Sequence, residues 1–155
     1  MLTGSKVLVA AVTVVALTAT VLTVRSATID AAAHARAAAE APARDASPRE
    51  YTLAYLRAAR AHDCALLDYL EASGPSDWCP KAPTAWSDGT AELLAYRDVG
   101  KAASESAAHA PRAEECVPSV ITQRWMNGRD AGTIDWSWCW ARTPDGWRLV
   151  DEGQG

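Results

Sequence analysis

The chain has 155 residues and a formal net charge of −4, and 49% of its residues are apolar. This length allows one domain with an appendage. The acidic balance argues against a nucleic-acid partner, because a surface that follows phosphates needs an excess of Lys and Arg. The chain has seven Trp and no Phe, so we expect Trp to fill much of the core.

An apolar run without charges occupies Val7–Val24, between Lys6 and Arg25. A helix of that length spans about 27 Å, which is enough to cross the core of a bilayer. We therefore predict a membrane anchor in residues 1–25, with the membrane contacted through residues 7–24. The alternative is a secreted protein with a cleaved signal peptide, but the run exceeds the about 7–15 apolar residues usual there.

Residues 26–46 are rich in Ala and lack the pattern of a core-forming helix. They are predicted to form a tether that is partly helical before Pro42, because Ala favours helix. The folded domain is predicted to cover residues 47–155. It begins with Ser47-Pro48-Arg49-Glu50, a typical helix start with an N-cap Ser, a Pro in the first turn and a Glu that closes a capping box.

A second helix is predicted after Asp63, which can cap it. Its apolar side chains lie three and four positions apart and form one stripe: Leu66, Leu67 and Leu70. Ser73-Gly74-Pro75 is predicted to end this helix. The loop that follows, residues 75–91, is predicted to be held to the core by Trp78 and Trp86.

Two strands are predicted next. Leu93–Val99 forms the first, and after Gly100 the chain either continues as a strand to about Ala108 or crosses irregularly. Cys116–Met126 forms the second, with Pro118 near its start suggesting an edge strand or a bulge.

Asn127-Gly128 is the strongest short signal for a hairpin turn. A two-residue turn there pairs positions whose numbers sum to 255, so Cys116 faces Cys139. Opposed residues of an antiparallel pair have Cα atoms about 4.5–5.5 Å apart, which a disulfide can span. The cysteines therefore support the register that the turn predicts. A longer loop from Asn127 to Gly132 is the alternative, and it would shift this register.

The chain closes with Ile134–Gly155, a predicted hairpin that turns at Thr143-Pro144-Asp145-Gly146. This turn places Trp140 opposite Leu149. One face of the hairpin then carries bulky side chains that can pack on a helix: Trp136, Trp138, Trp140, Trp147 and Leu149, with Val117 and Ile121 beside them.

Four cysteines in a small domain suggest two disulfides and a compartment outside the cytoplasm. With Cys116 and Cys139 paired by the register, Cys64 and Cys79 remain as the second pair. A metal site is not expected, because the chain contains no CxxC pair. No cofactor is expected either.

The order of two helices and an antiparallel sheet ending in Asp145-Gly146-Trp147-Arg148-Leu149-Val150-Asp151 resembles the nuclear-transport-factor-2-like (cystatin-related) superfamily. The helix pair Tyr55–Leu70 is similar to its opening helices. More narrowly, Asp63-Cys64, Trp78-Cys79-Pro80 and Gly146-Trp147-Arg148 resemble pieces of uncharacterised membrane-anchored or secreted small proteins of high-GC bacteria. The resemblance covers residues 48–155 and implies an α+β fold, with a helix pair packed on a curved, mainly antiparallel, cone-shaped sheet.

Enzymes of that superfamily use an Asp or a His inside the cone. The candidates here are Asp135 and Asp151, which flank the Trp-rich strand, and His62 beside Asp63. A carboxyl group in an apolar pocket would have a raised pKa and could act as a general base, but a strand-end charge in water is the simpler interpretation. The Trp side chains could line a small-molecule pocket, although core packing explains them more simply: Trp136, Trp138, Trp140 and Trp147.

No catalytic or metal-binding motif stands out in the sequence, and a fold by itself does not define a function. We therefore expect a non-catalytic binding or accessory domain, anchored at the cell envelope, whose ligand the sequence does not identify. One alternative is a small hydrolase or isomerase that uses a cone-lining Asp or His. The other is a self-associating structural module, so the expected partner is a second copy or another envelope protein.

Overall fold

The computed structural model describes residues 29–80, 90–105, 113–125 and 131–154. The chain divides into two compact units, Met1–Arg36 and Ala37–Gly155. Within the described part of the chain, no helix is both long enough and apolar enough to cross a membrane. The predicted anchor at residues 7–24 lies outside that part.

A helix, α1, covers residues 29–40. Its Ala37, the first residue of the second unit, is fully buried. The loop after α1 is held by Tyr51, whose hydroxyl donates to the Pro42 carbonyl oxygen at 3.2 Å. The second unit therefore begins earlier than Ser47, where the sequence placed the start of the folded domain.

Helix α2 (Pro48–Ala61) begins with the predicted capping box. The Ser47 hydroxyl accepts from the Glu50 amide at 3.4 Å, and the Glu50 carboxylate accepts from the Ser47 amide at 2.8 Å. The helix ends at His62, which adopts a left-handed conformation with φ 58°. At the start of the helix, the capping box between Ser47 and Glu50 gives hydrogen-bond partners to backbone amides that the first turn would otherwise leave unpaired.

Helix α3 (Cys64–Leu70) begins at the predicted cap, Asp63, whose carboxylate accepts from an amide of the first turn at 3.2 Å. The helix ends before the predicted stop at Ser73-Gly74-Pro75. Glu71 is already extended and forms a bridge with Leu149 of the sheet. Pairing with the sheet thus ends α3 before its Gly and Pro are reached.

The described residues form one antiparallel sheet of five strands: β1 (Ala91–Arg97), β2 (Ala103–Glu105), β3 (Glu114–Trp125), β4 (Gly132–Thr143) and β5 (Gly146–Gly153). The strand order is β1-β3-β4-β5, and β2 pairs with the other end of β3. The register between β3 and β4 is the predicted one, with Cys116 opposite Cys139 and Ile121 opposite Ile134. The fold is therefore α+β, with helices on an antiparallel sheet, as the sequence predicted.

Pro118 lies in β3, which is a central strand, whereas the sequence suggested an edge strand or a bulge. On one side of β3, β1 pairs from Val120 onwards and β2 pairs only up to Cys116. The Pro118 carbonyl oxygen points into the gap between them and accepts from the Gly100 amide at 2.8 Å. In an antiparallel sheet the N–H and C=O of one residue point to the same side of the strand. The N–H that Pro118 lacks would therefore point into this gap, where neither β1 nor β2 pairs with it.

The Trp-bearing face of the sheet packs on α2. Trp138 and Trp140 are fully buried there together with Tyr51 and Tyr55. The ring centroids of Tyr55 and Trp138 lie 5.4 Å apart, and those of Tyr51 and Trp140 lie 5.8 Å apart in an edge-to-face arrangement. Aromatic side chains of this size bury large apolar areas, so they supply much of the core that Phe would otherwise provide.

Each of the two fully buried indoles has a hydroxyl acceptor. Trp138 donates from Nε1 to the Ser119 Oγ at 2.8 Å, and Trp140 donates to the Thr52 Oγ1 at the same distance. Thr52 in turn donates to the carbonyl oxygen of Pro48 at 3.0 Å. A Trp-based core needs such partners, because an indole N–H buried without one is costly.

Candidate functional site

Two disulfides join the four cysteines in the predicted pairs, Cys64 with Cys79 and Cys116 with Cys139. Glu114 lies close to the second bond, forming a cluster of metal-ligand type. The two sulfur atoms are bonded to each other, however, and thiolates are what a metal would require. The two disulfides fit an oxidising compartment outside the cytoplasm.

The four candidate pocket-lining Trp side chains occupy different environments. Trp138 and Trp140 lie in the closed core described above, whereas Trp136 and Trp147 are half-buried and pack against it. Trp147 donates from Nε1 to the Ala46 carbonyl oxygen at 3.0 Å, which attaches the loop before α2 to β5. Two of the four predicted pocket-lining side chains therefore belong to the closed core, and the other two lie at its margin.

The acidic and His candidates lie at the surface. Asp135 is exposed and borders a shallow depression with Trp136 on the sheet. Asp151 is exposed on β5, and His62 is exposed at the end of α2. Asp63, its proposed partner, serves as the cap of α3. Asp135 and Asp151 thus lie on two different strands of the sheet, and His62 lies at the end of a helix.

The carboxyl group that the sheet turns inward belongs to Glu152. Trp140 pairs with Leu149, but the next pairs are Cys139 with Asp151 and Trp138 with Glu152, so a bulge inserts one extra residue into β5. An extra residue reverses the alternation of side chains along a strand. Asp151 is therefore turned to the outer face, and Glu152 takes the core-facing side.

Glu152 is the centre of a group of hydrogen-bonded side chains that we call the carboxyl cluster: Tyr55, Glu71, Ser76, Trp78 and Glu152. Trp78 donates from Nε1 to both carboxylate oxygens of Glu152 at 2.9 Å, and Trp136 donates to one of them at 3.4 Å. Trp78 is 3% exposed. These contacts join the loop after α3 to the last strand of the sheet.

The second carboxyl group of the cluster is held by α2. The Tyr55 hydroxyl donates to Glu71 Oε1 at 2.5 Å and lies 2.7 Å from the Ser76 Oγ. Since Tyr55 has one hydroxyl proton, Ser76 donates in the second contact. Ser76 Oγ also accepts from the Trp78 amide at 3.2 Å. The fully buried Tyr55 thus connects the helix, the end of α3 and the loop.

Burial changes the acidity of all three titratable groups in the carboxyl cluster. It raises the pKa of Glu152 to about 7, with a further upward contribution from Glu71 and opposition from the hydrogen bond of Trp78. Burial also raises the pKa of Glu71, against a lowering effect of the Tyr55 hydrogen bond. The pKa of Tyr55 is raised by burial and by both carboxylates. Glu152 therefore exchanges its proton close to neutral pH.

A cleft of about 430 Å³ lies beside the carboxyl cluster, between residues 71–77 and residues 149–152. Four carboxyl groups line it, and none of the described residues lining it is basic: Glu71, Asp77, Asp151 and Glu152. The cleft is open to solvent on one side. The cleft is therefore acidic, and one of its carboxyl groups, Glu152, can become neutral near pH 7.

Sequence reasoning named Asp151 and missed its neighbour Glu152. A strict alternation from Leu149 puts Asp151 on the core face, and only the bulge reverses this assignment. The available signal was a pair of adjacent acidic residues, Asp151-Glu152, near the end of a Trp-rich hairpin. Comparisons with protein-family models, with curated proteins and with solved structures give no match to this chain.

Proposed function

We propose that this chain is a non-catalytic binding or accessory domain, displayed outside the cytoplasm on an N-terminal anchor at residues 7–24. The observation that carries the proposal is the filling of the space between α2 and the sheet. Tyr51, Tyr55, Trp138 and Trp140 occupy it, each at most 1% exposed. Enzymes of the superfamily that the sequence resembles use an Asp or a His inside the cone, so the filling of this space supports a non-catalytic role.

The polar atoms of this interior are also paired. Among the described residues, no buried side-chain nitrogen or oxygen lacks a hydrogen-bond partner. A catalytic chamber usually contains polar side chains whose hydrogen-bonding partner is the substrate. An interior in which every buried polar side chain of the described residues already has a protein partner therefore supports a structural role for the core. The ligand or partner would then be bound at the surface of the domain.

The proposal includes membership of the nuclear-transport-factor-2-like superfamily, with the sheet as its cone. Helices on an antiparallel sheet and a closing hairpin that packs on α2 support it. The two disulfides support a location outside the cytoplasm. The apolar run at residues 7–24 supports an anchor there.

The first experiment measures topology and assembly of the full-length chain in membranes. Intact cells are treated with a membrane-impermeant amine reagent, and labelling of Lys101, which is exposed, is followed by mass spectrometry. Labelling before lysis is expected if the domain lies outside. Labelling only after lysis contradicts the proposed location.

Cross-linking of the same membranes then identifies what the domain contacts. A cross-link between the domain and another envelope protein, or a second copy, supports a binding or structural role. The mass of the detergent-extracted complex separates these two cases, because a second copy doubles the mass of the protein component. A monomer without cross-links in membranes contradicts an accessory role.

A second candidate, a small hydrolase or isomerase, is favoured by one observation. Glu152 is a largely enclosed carboxyl group beside an open cleft, with a pKa of about 7. A group of that acidity can give or take a proton efficiently at neutral pH. Both of its oxygens already accept from Trp78, so it would have to exchange one of these contacts for a substrate.

The test of this second candidate is an activity screen with small esters and enolisable ketones. Turnover that is lost in Glu152→Gln and kept in the surface variant Asp135→Asn would replace the non-catalytic proposal. Equal background rates in wild type and both variants support the non-catalytic proposal.

A further inference from the structure

Residues 71–79 form a covering segment that rests on the end of β5. One end of the segment continues from α3, and the other is fixed by the disulfide between Cys64 and Cys79. Between these ends it is attached to the sheet at two places. The Ala72 amide donates to the Leu149 carbonyl at 2.8 Å, and the Trp78 indole donates to Glu152.

The contact between this segment and β5 brings like charges together. Glu71 and Asp77 lie on the covering segment, and Glu152 and Asp151 lie on β5, along one cleft. Two partly buried carboxylates disfavour double ionisation, because each is partly desolvated and each repels the other. A proton held in the cluster therefore favours the closed arrangement.

The other charged groups around Glu152 do not offset this repulsion. From α2 the cluster receives the Tyr55 hydroxyl, which is neutral, and β4 contributes the Trp136 indole. From α3, Asp68 accepts from the Ser76 amide at 2.9 Å and adds a further negative charge near Glu71. The basic side chain of β5, Arg148, packs over the ring of Tyr69, 4.5 Å from its centroid.

We propose that the covering segment is a pH-sensitive switch, closed on β5 while at least one of Glu71 and Glu152 is protonated, and opening when both are ionised. Opening gives the carboxylates access to water and enlarges the acidic cleft. It stays local, because α3 and the Cys64–Cys79 disulfide hold both ends of the segment. The switch goes beyond the proposed binding function and stands or falls separately from it.

Hydrogen exchange in the full-length chain, kept in mild detergent, tests the switch. The observable is the protection factor of amides 72–79, corrected for the pH dependence of chemical exchange. If Glu152 returns to its ordinary acidity on opening, protection is expected to fall about tenfold between about pH 6 and pH 8. The helix α2 amides serve as an internal reference and should change little.

Two variants separate the switch from a general loss of stability. Glu152→Gln keeps an oxygen acceptor for Trp78 but cannot ionise, so protection of amides 72–79 should become nearly independent of pH. Asp135→Asn, at an exposed position of β4 that does not line this cleft, removes a carboxylate of the same sheet and should retain the wild-type pH dependence. Full pH dependence in Glu152→Gln would overturn the proposal.

A direct titration covers the case in which Glu152→Gln does not fold. The ¹³C resonance of the Glu152 carboxyl group in the wild-type chain should titrate near neutral pH, and the amide signals of the covering segment should shift with the same midpoint. A midpoint near the ordinary value for Glu, about 4.3, or segment amides that do not follow the carboxyl group, would also overturn the proposal.

Discussion

The carboxylate of Glu152 accepts one bifurcated hydrogen bond from the indole N–H of Trp78, which lies 74 positions away in the chain, and both oxygens are 2.9 Å from Nε1. This contact joins the last strand to the disulfide-bonded loop after α3. It places an acid in an enclosed position with no basic residue among the described residues that line the adjacent cleft. Burial raises the pKa of this carboxyl group to about 7, so its charge changes near neutral pH.

The full-length chain should lose stability as the pH rises from about 5.5 to about 8.5. Burial raises the pKa of Glu152 from 4.5 to about 7, so the folded state keeps a proton that the unfolded state has released. This stabilisation is fully present below the unfolded pKa and is lost as the pH rises through 7. The midpoint of urea unfolding, measured along this pH range, should decrease.

Glu152→Gln provides the control for this prediction, because it should flatten the dependence on pH. The capping-box residue Glu50 does not interfere. The Ser47 hydrogen bonds lower the pKa of Glu50, so its contribution is lost only as the pH falls through values below 4.5. A wild-type midpoint that stays constant or increases with pH contradicts the prediction.

Thr52→Val should destabilise the domain by about 1–3 kcal/mol, although the side-chain volume hardly changes. The substitution removes the acceptor of the fully buried Trp140 indole, and an unsatisfied buried donor costs about that much. Urea unfolding at constant pH measures the loss. Thr133→Val, at an exposed position with a hydroxyl contact to Thr122, is the matched control and should change stability by less than about 0.5 kcal/mol. Equal effects of the two substitutions would contradict the assigned role of Thr52.

Gly146→Ala should also destabilise the domain, by about 1–3 kcal/mol or more. Gly146 has a φ of 115°, and an added Cβ would lie 2.1 Å from the Tyr51 hydroxyl. The substitution combines backbone strain with a clash against α2. Gly132→Ala is the control, because an added Cβ there meets open space. Thermal unfolding of both variants should show a clear loss for Gly146→Ala only.

Replacing both Cys116 and Cys139 with Ala should lower the free energy of unfolding by about 3 kcal/mol, the value expected for opening a loop of this length. The pair lies in the register between β3 and β4, so the folded register itself should survive. The double variant Cys64→Ala/Cys79→Ala should cost a similar amount and, in addition, reduce exchange protection in residues 71–79. A loss of less than about 1 kcal/mol in the first variant would contradict the prediction, because it would mean that this disulfide restricts the unfolded chain very little.

Several features of the fold follow from short-range signals that the sequence contains. Ser47 and Glu50 cap α2 because the donors of a first helical turn need partners wherever the helix lies. The register of β3 and β4 brings Cys116 to Cys139, as predicted from a turn at Asn127-Gly128, which itself lies outside the described residues. These interactions depend on residues that are close in the chain or directly opposite on paired strands.

The tertiary structure decided the features on which the candidate site depends. α3 stops at Leu70 because Glu71 pairs with β5, and Pro118 is accommodated in a central strand because β1 and β2 leave a gap beside it. The local sequence predicts neither the pairing of Glu71 with β5 nor the gap beside Pro118.

Glu152 shows the same limit most clearly. The amino-acid pattern of the last strand identified an aromatic face and an acid beside it, but alternation alone selects Asp151. A single extra residue in β5 reverses that choice and turns Glu152 towards Trp78 and Trp138. The sequence by itself therefore determined the caps, the strand register and the disulfides, and the packing of β5 against the rest of the domain decided which carboxyl group became buried.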